Sequence, residues 1–163
     1  MLDMLISYRQ RYQPIRKNDM QQKLPSTKRS LPIALMRARE SIMAPIREML
    51  AESDLTEQQW RVLRALDEFG PQEATQLAMN SALLFPSLTR ITQTLEKKEL
   101  VNRTKIKTDK RRQLIEITAS GKETIAENSE RAAQIVAGFK STLGEDRYEL
   151  LLDILGDLSP QKD

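Results

Sequence analysis

The run Ala74-Thr75-Gln76-Leu77-Ala78-Met79-Asn80-Ser81-Ala82-Leu83-Leu84-Phe85-Pro86-Ser87-Leu88-Thr89-Arg90-Ile91-Thr92-Gln93-Thr94-Leu95-Glu96-Lys97-Lys98 decides the fold. Ala74, Leu77 and Ala78 fall on one face of a short helix expected around Glu73–Met79, because side chains three and four apart on a helix lie together. A turn is expected over about Asn80–Phe85. Pro86 then takes the first position of a second helix, where its missing amide would have had no partner in any case. Leu88, Ile91 and Leu95 form the buried face of that helix, and Ser87, Thr89, Arg90, Gln93 and Lys97 point elsewhere. Two helices across a tight turn, over about residues 73–98, read as a helix-turn-helix. The second has the apolar stripe and the short polar and basic opposite face needed to enter a major groove about 12 Å wide. Arg90 offers two donors to guanine and Gln93 a paired donor and acceptor to adenine. Ser87, Thr89, Arg90 and Gln93 are therefore candidate DNA contacts.

Beyond this helix the period changes. Val101–Lys107 and Gln113–Thr118 have strand-like content, with Ile115 and Ile117 alternating against Leu114 and Glu116. The charged stretch Thr108-Asp109-Lys110-Arg111-Arg112 is expected as the loop between them, and the hairpin, about residues 101–118, reads as a wing. Its cationic tip suits phosphates or a narrow minor groove, which makes Lys110, Arg111 and Arg112 further candidate contacts. Thr118 is placed to cap a long helix running to about Thr142, and Leu143-Gly144 to break it. A last helix carries Leu151, Leu152, Ile154, Leu155 and Leu158.

Upstream, Thr56 and Gln59 have the spacing of a capping box, and Leu55 and Trp60 that of a hydrophobic staple. Phe69-Gly70-Pro71 should end the helix they begin. Before it, Leu35, Ala38, Ile42, Ile46 and Met49 form one apolar stripe, and Met36, Met43 and Leu50 a second. A helix with two stripes needs partners on two sides, such as its own domain and a second subunit. Pro45 should kink that helix near Ser41. Residues 1–30 carry Pro14 and Pro25 and end in a linker-like stretch, and read as a basic arm ahead of a domain at 31–160.

At 163 residues, 39% hydrophobic and 4% aromatic, the chain can bury one helical core. It has no Cys and no His. That removes thiolate chemistry, the commonest general base and the usual ligands of zinc, and argues against an enzyme, a metal site or a cofactor. No run approaches the roughly 18 apolar residues of a membrane span, and Met4-Leu5-Ile6 is too short for the middle of a signal peptide, so a cytoplasmic location is expected. The net charge is only +3, yet residues 83–112 hold nine Lys and Arg against three Asp and Glu, between acidic flanks. Such a stripe is the footprint of an element that binds a polyanion, or else a solvated face.

Three runs, Thr75–Ala78, Pro86–Ile91 and Leu95–Val101, resemble the MarR family of transcriptional regulators. So does the wing, Asp109-Lys110-Arg111 followed by Leu114-Ile115-Glu116-Ile117-Thr118. The likeness covers about residues 31–158. Leu35–Glu40, Thr56–Arg61 and Pro86–Thr89 further resemble the branch that regulates homoprotocatechuate and related aromatic-acid catabolism. Glu99 stands where the family usually has glycine. The resemblance implies a mainly α fold with a small β-hairpin wing: a winged helix-turn-helix with N- and C-terminal dimerisation helices at about 31–51 and 119–158. It also implies a homodimer on a pseudo-palindromic double-stranded operator. The implied effector is an aromatic acid, or its coenzyme A thioester, bound between the dimerisation helices and the DNA-binding lobe.

Arg39 falls among Leu35, Ile42 and Ile46, and a guanidinium on an apolar face needs an anion. That anion is either a ligand carboxylate, held bidentately, or an acid of the chain such as Glu40 or Glu68. Arg37, Arg64 and Trp60 complete the candidate effector set, with Trp60 also explained by core packing. The competing reading of the chain is a winged-helix protein-interaction module without sequence-specific DNA binding. The Ser87, Thr89, Arg90 and Gln93 face and the cationic wing argue against it.

Overall fold

Residues 26–106 and 109–159 are described by the structure, a computed structural model, with the backbone alone at Ile106 and at 109–111. The expected arm lies outside them up to residue 25. The chain divides after Glu40 into two compact units. In the first, a single 3-10 turn, Thr27–Arg29, precedes the start of helix α1, Leu31–Glu52, whose residues from Ser41 on belong to the second. The α1 ladder opens with the Ala34 amide donating to the Ser30 carbonyl at 2.9 Å. The helix continues through Pro45. The unit boundary falls beside Ser41, whose carbonyl loses its helical partner to that proline.

In the second unit α1 leads into α2 (Glu57–Phe69), the two-residue strand β1 (Gln72–Glu73), α3 (Ala74–Asn80) and α4 (Phe85–Lys97). Strands β2 (Val101–Ile106) and β3 (Asp109–Ile117) follow, then α5 (Ala119–Leu143) and α6 (Glu145–Leu158). The strands form one antiparallel sheet in the order β1-β3-β2, with Ile115 of β3 flanked by Gln72 on one side and Arg103 on the other. Leu50, Leu63, Leu66, Leu77, Leu88, Leu95, Val101 and Ile115 are buried together, so α1 to α4 and the wing share one core.

Local signals set most boundaries. The Gln59 amide donates to Thr56 Oγ1 at 3.2 Å, and the Thr56 amide to Gln59 Oε1 at 3.0 Å, closing the expected capping box. Gly70, at φ 74°, ends α2 with its amide on the Leu66 carbonyl. Thr118 caps α5 by accepting from the Gly121 amide at 3.0 Å, and Gly144 ends it at φ 80°. Two boundaries differ from expectation. Glu73 belongs to β1, because Gln72 and Glu73 pair with β3, and two residues are too few for strand alternation to register. Strand β3 begins at Asp109, which pairs with Ile106, so most of the charged run expected as loop lies within the strand, and Lys110–Arg112 span the register shift before Gln113 pairs with Lys105. The ladder is built from backbone groups and is indifferent to that charge. Lys107 and Thr108 lie outside the described residues.

Three helices end on a left-handed residue that is not glycine: Asp54 (φ 50°), Ala82 (φ 50°) and Glu99 (φ 60°). Each makes the same double closure. The amides of Asp54, Ala82 and Glu99 donate to Ala51, Met79 and Glu96, and those of Leu55, Leu83 and Leu100 to Leu50, Ala78 and Leu95. In every case the next residue is a leucine that packs into or against the core, which holds a conformation costing an L-residue on the order of 1 kcal/mol. Glu99 is exposed. Glu99→Gly should therefore raise stability by about 0.5–1 kcal/mol and the melting midpoint by about 1–4 °C. Thermal denaturation followed by circular dichroism measures this, and a lower midpoint would show that the glutamate side chain holds the turn.

Candidate nucleic-acid interface

Helix α4 buries Leu88, Ile91, Thr92 and Leu95 and leaves Thr89, Arg90 and Gln93 exposed, with Ser87 half-buried. Burial of Thr92 is tolerated because its hydroxyl donates to the Leu88 carbonyl at 3.0 Å. Glu96 is the one acid on this helix, and it is paired with Arg103 at 3.1 Å, so it does not neutralise Arg90. Thr89, Arg90 and Gln93 thus share the exposed face of this helix, and Ser87 lies at its half-buried edge.

Three basic side chains lock α4 to its surroundings, and sequence spacing signals none of them. Arg103 of β2 donates from Nη1 to Glu96 and from Nη2 to Gln113 Oε1 of β3 at 2.7 Å, which joins helix to wing. Its Nε is buried without a partner among the described residues. Lys98 reaches Asp54 Oδ2 at 2.8 Å and also the Asp54 carbonyl. That hydrogen bond, with the ammonium charge, holds the Asp54 carboxyl below the usual carboxylate range. Arg61 of α2 donates to the Ala82 carbonyl at 2.9 Å, in the turn of the helix-turn-helix.

On the wing, Arg112 donates from Nε to Glu73 Oε2 at 2.8 Å and from Nη2 to Glu73 Oε1, tying β3 to β1. The backbone of Lys110 and Arg111 lies in β3, and their side chains lie outside the described residues. At the other end of the interface, Leu84 is the N-cap of α4 and is 77% exposed, and Phe85 is 53% exposed. No side chain caps this helix, although Ser, Thr, Asp or Asn at that position is worth about 1 kcal/mol.

A cavity of about 220 Å³ lies between α2 and the helix-turn-helix turn, lined in part by Trp60, Arg61, Arg64, Glu68, Asn80 and Ala82. Trp60 packs against the core, as its staple position requires, and also lines this cavity. Trp60 and Arg64 are therefore brought to one place. Arg37 and Arg39 belong to the first unit and are exposed, as is Leu35 at 40%. The premise that burial forces an anion onto Arg39 does not hold within the single chain, because its apolar neighbour is itself uncovered. Leu31 and Met36 of α1 and Leu150, Leu152 and Leu158 of α6 are exposed too, and α6 buries none of its residues. No described helix is long and apolar enough to cross a membrane.

A helix-turn-helix with a polar and basic second helix, backed by a β-hairpin on the same core, defines a winged-helix DNA-binding protein. The model of the MarR family matches residues 55–112, and the HTH-type transcriptional regulator FarR of Neisseria gonorrhoeae is 36% identical over 134 residues, covering 82% of this chain and 92% of that protein. The chain belongs to the MarR family of transcriptional regulators, and it is a regulator and not an enzyme. The homoprotocatechuate degradative operon repressor of Escherichia coli is 41% identical over 92 residues, 56% of this chain and 62% of that protein. The crystal structure of NadR in complex with 4-hydroxyphenylacetate superposes with a TM-score of 0.73 at 35% identity, over 86% of this chain and 99% of that one. The chain thus resembles family members whose names or bound ligands involve aromatic acids.

Proposed function

We propose that this protein is a cytoplasmic repressor of an aromatic-acid catabolic operon, released from its operator by an aromatic carboxylate. The observation that carries the DNA-binding half is the exposed Thr89, Arg90 and Gln93 surface of α4, edged by half-buried Ser87, with the helix's one acid, Glu96, paired to Arg103. Arg90 and Gln93 read base edges in the major groove. Lys110 and Arg111 on the wing meet the flanking backbone or minor groove, and Arg112 does so with part of its charge already committed to Glu73. The exposed apolar side chains of α1 and α6 are the surface of a homodimer, whose two-fold axis matches a pseudo-palindromic operator with half-sites about one helical turn apart.

The effector half rests on the α2 cavity. An enclosed apolar cavity of roughly 150 Å³ accepts a benzene ring; this one is open to solvent and partly lined by Arg61, Arg64, Glu68 and Asn80, and its volume of about 220 Å³ admits a single substituted ring beside Trp60 and Arg64. A coenzyme A thioester would leave its nucleotide outside. An occupant of the cavity bears directly on Ala82 and Asn80, so it biases the turn that sets the pose of α4.

The test is a gel shift with the DNA flanking the protein's own gene, titrated with 4-hydroxyphenylacetate, the ligand seen in NadR. Retarded DNA that is freed by the acid is the expected result. No retardation of any duplex would favour the protein-interaction module. Arg64→Ala should weaken the response to the acid by about tenfold or more, the worth of a charge-assisted hydrogen bond, without changing DNA affinity in its absence. Calorimetry on the folded variant measures this, and unchanged affinity for the acid would remove Arg64 from the site.

A further inference from the structure

The first turn of α4 carries an apolar tip that neither the core nor the exposed faces of α1 and α6 account for. Leu84 is 77% exposed and Phe85 53%, and both stand within the 83–112 block that holds nine basic residues against three acidic ones. Isolated exposed apolar side chains are ordinary, but these two are adjacent and occupy the N-terminal end of the helix that presents Thr89, Arg90 and Gln93. Phe85, Thr89 and Gln93 follow one another at four-residue spacing, so they form one ridge along that helix. The position is one where a polar cap would stabilise the helix, and no side chain caps it.

We propose that Phe85, with Leu84 beside it, reads thymine by packing on the 5-methyl group exposed in the major groove. The inference rests on the DNA-binding function proposed above and adds a base identity to it. The basic block is complementary to a duplex, and the N-terminal end of a recognition helix is the part that reaches base edges. Of the four bases only thymine offers an apolar group in that groove, and apolar side chains such as phenylalanine are its partners. A ring placed there rejects the polar edges of the other bases and leaves hydrogen-bonded readout to Thr89, Arg90 and Gln93.

The experiment first selects a high-affinity duplex from random sequences with the full chain, then prepares it with every thymine replaced by deoxyuridine. Burying one methyl is worth about fourfold in affinity, so a dimer with two half-sites should bind the uracil duplex about fifteenfold more weakly. Phe85→Ala should bind the thymine and uracil duplexes equally, at about the level of the native protein on uracil. Arg90→Ala should be weaker on both while keeping the native thymine preference. Because the comparison crosses the methyl with the side chain, any effect of uracil on duplex shape cancels. Equal binding of both duplexes by the native protein would overturn the inference. So would a thymine preference that survives in the folded Phe85→Ala, Leu84→Ala double variant. If the selection retains no duplex at all, the DNA-binding function itself fails, and the inference with it.

Discussion

Gly121→Ala should lower the melting midpoint by roughly 4–8 °C, the consequence of losing about 2 kcal/mol in a chain of this size. Inside a helix the same exchange ordinarily stabilises by roughly 0.5–1 kcal/mol, so the sign depends on what the new methyl meets. Here a Cβ would lie 2.6 Å from Ile117 Cγ1 and closer still to the Leu100 carbonyl oxygen. That carbonyl cannot retreat easily, because it accepts the Thr118 amide at 3.1 Å, and the Leu100 amide is held in turn by Leu95. Thr118 is fixed as well: its hydroxyl donates to the Glu99 carbonyl at 2.7 Å and accepts from Gly121 itself. Either α5 moves off the wing or these bonds break, and overpacking against backbone of this kind costs about 1–3 kcal/mol or more, which exceeds the helix gain. A thermal melt of the variant measures the outcome, and a midpoint at or above the native value would mean that the junction yields freely. Because the same junction anchors both strands of the wing, a destabilised variant should also bind DNA more weakly at temperatures below its melting midpoint.

Arg90→Ala should cost roughly 1–3 kcal/mol per half-site, and so between about tens and tens of thousands of fold for a dimer on its operator, with relaxed preference at one base pair of each half-site. The reason is geometric: its guanidinium stands exposed on α4 while Glu96 is held by Arg103. Arg111→Ala, on the wing, should instead weaken operator and scrambled duplex alike and shallow the salt dependence by about one unit for each phosphate left without its cation. Fluorescence anisotropy on both duplexes across a salt series separates the two. Equal losses on operator and scrambled DNA for Arg90→Ala, combined with altered base preference for Arg111→Ala, would reverse the roles assigned to helix and wing.

Much of this interface is legible in the chain itself. The face of α4 follows from the spacing of Leu88, Ile91 and Leu95, and the starts of α2 and α5 from Thr56 with Gln59 and from Thr118. Gly70 and Gly144 announce two helix ends by the left-handed conformation they tolerate. In each case the cause and its effect lie within a turn or two of one another, so composition and period are enough. Asp54, Ala82 and Glu99 carry no such signal. Their left-handed turns are held by the leucines that follow, whose burial depends on the rest of the core.

What the tertiary structure decided shares that dependence. Strand β1 exists because β3 lies beside Gln72 and Glu73, and β3 reaches back into the charged run because Asp109 pairs with Ile106 of β2. The braces from Arg61, Lys98 and Arg103, and the pairing of Arg112 with Glu73, join residues 7 to 44 positions apart. The exposure of Leu84 and Phe85, and of Arg39 with Leu35, is a statement about which surfaces no other part of the chain covers. Helix periodicity and capping are settled by backbone geometry over a few residues and can be read from the sequence by itself. Burial and long-range pairing are settled by which distant segment arrives, and only the folded chain supplies that.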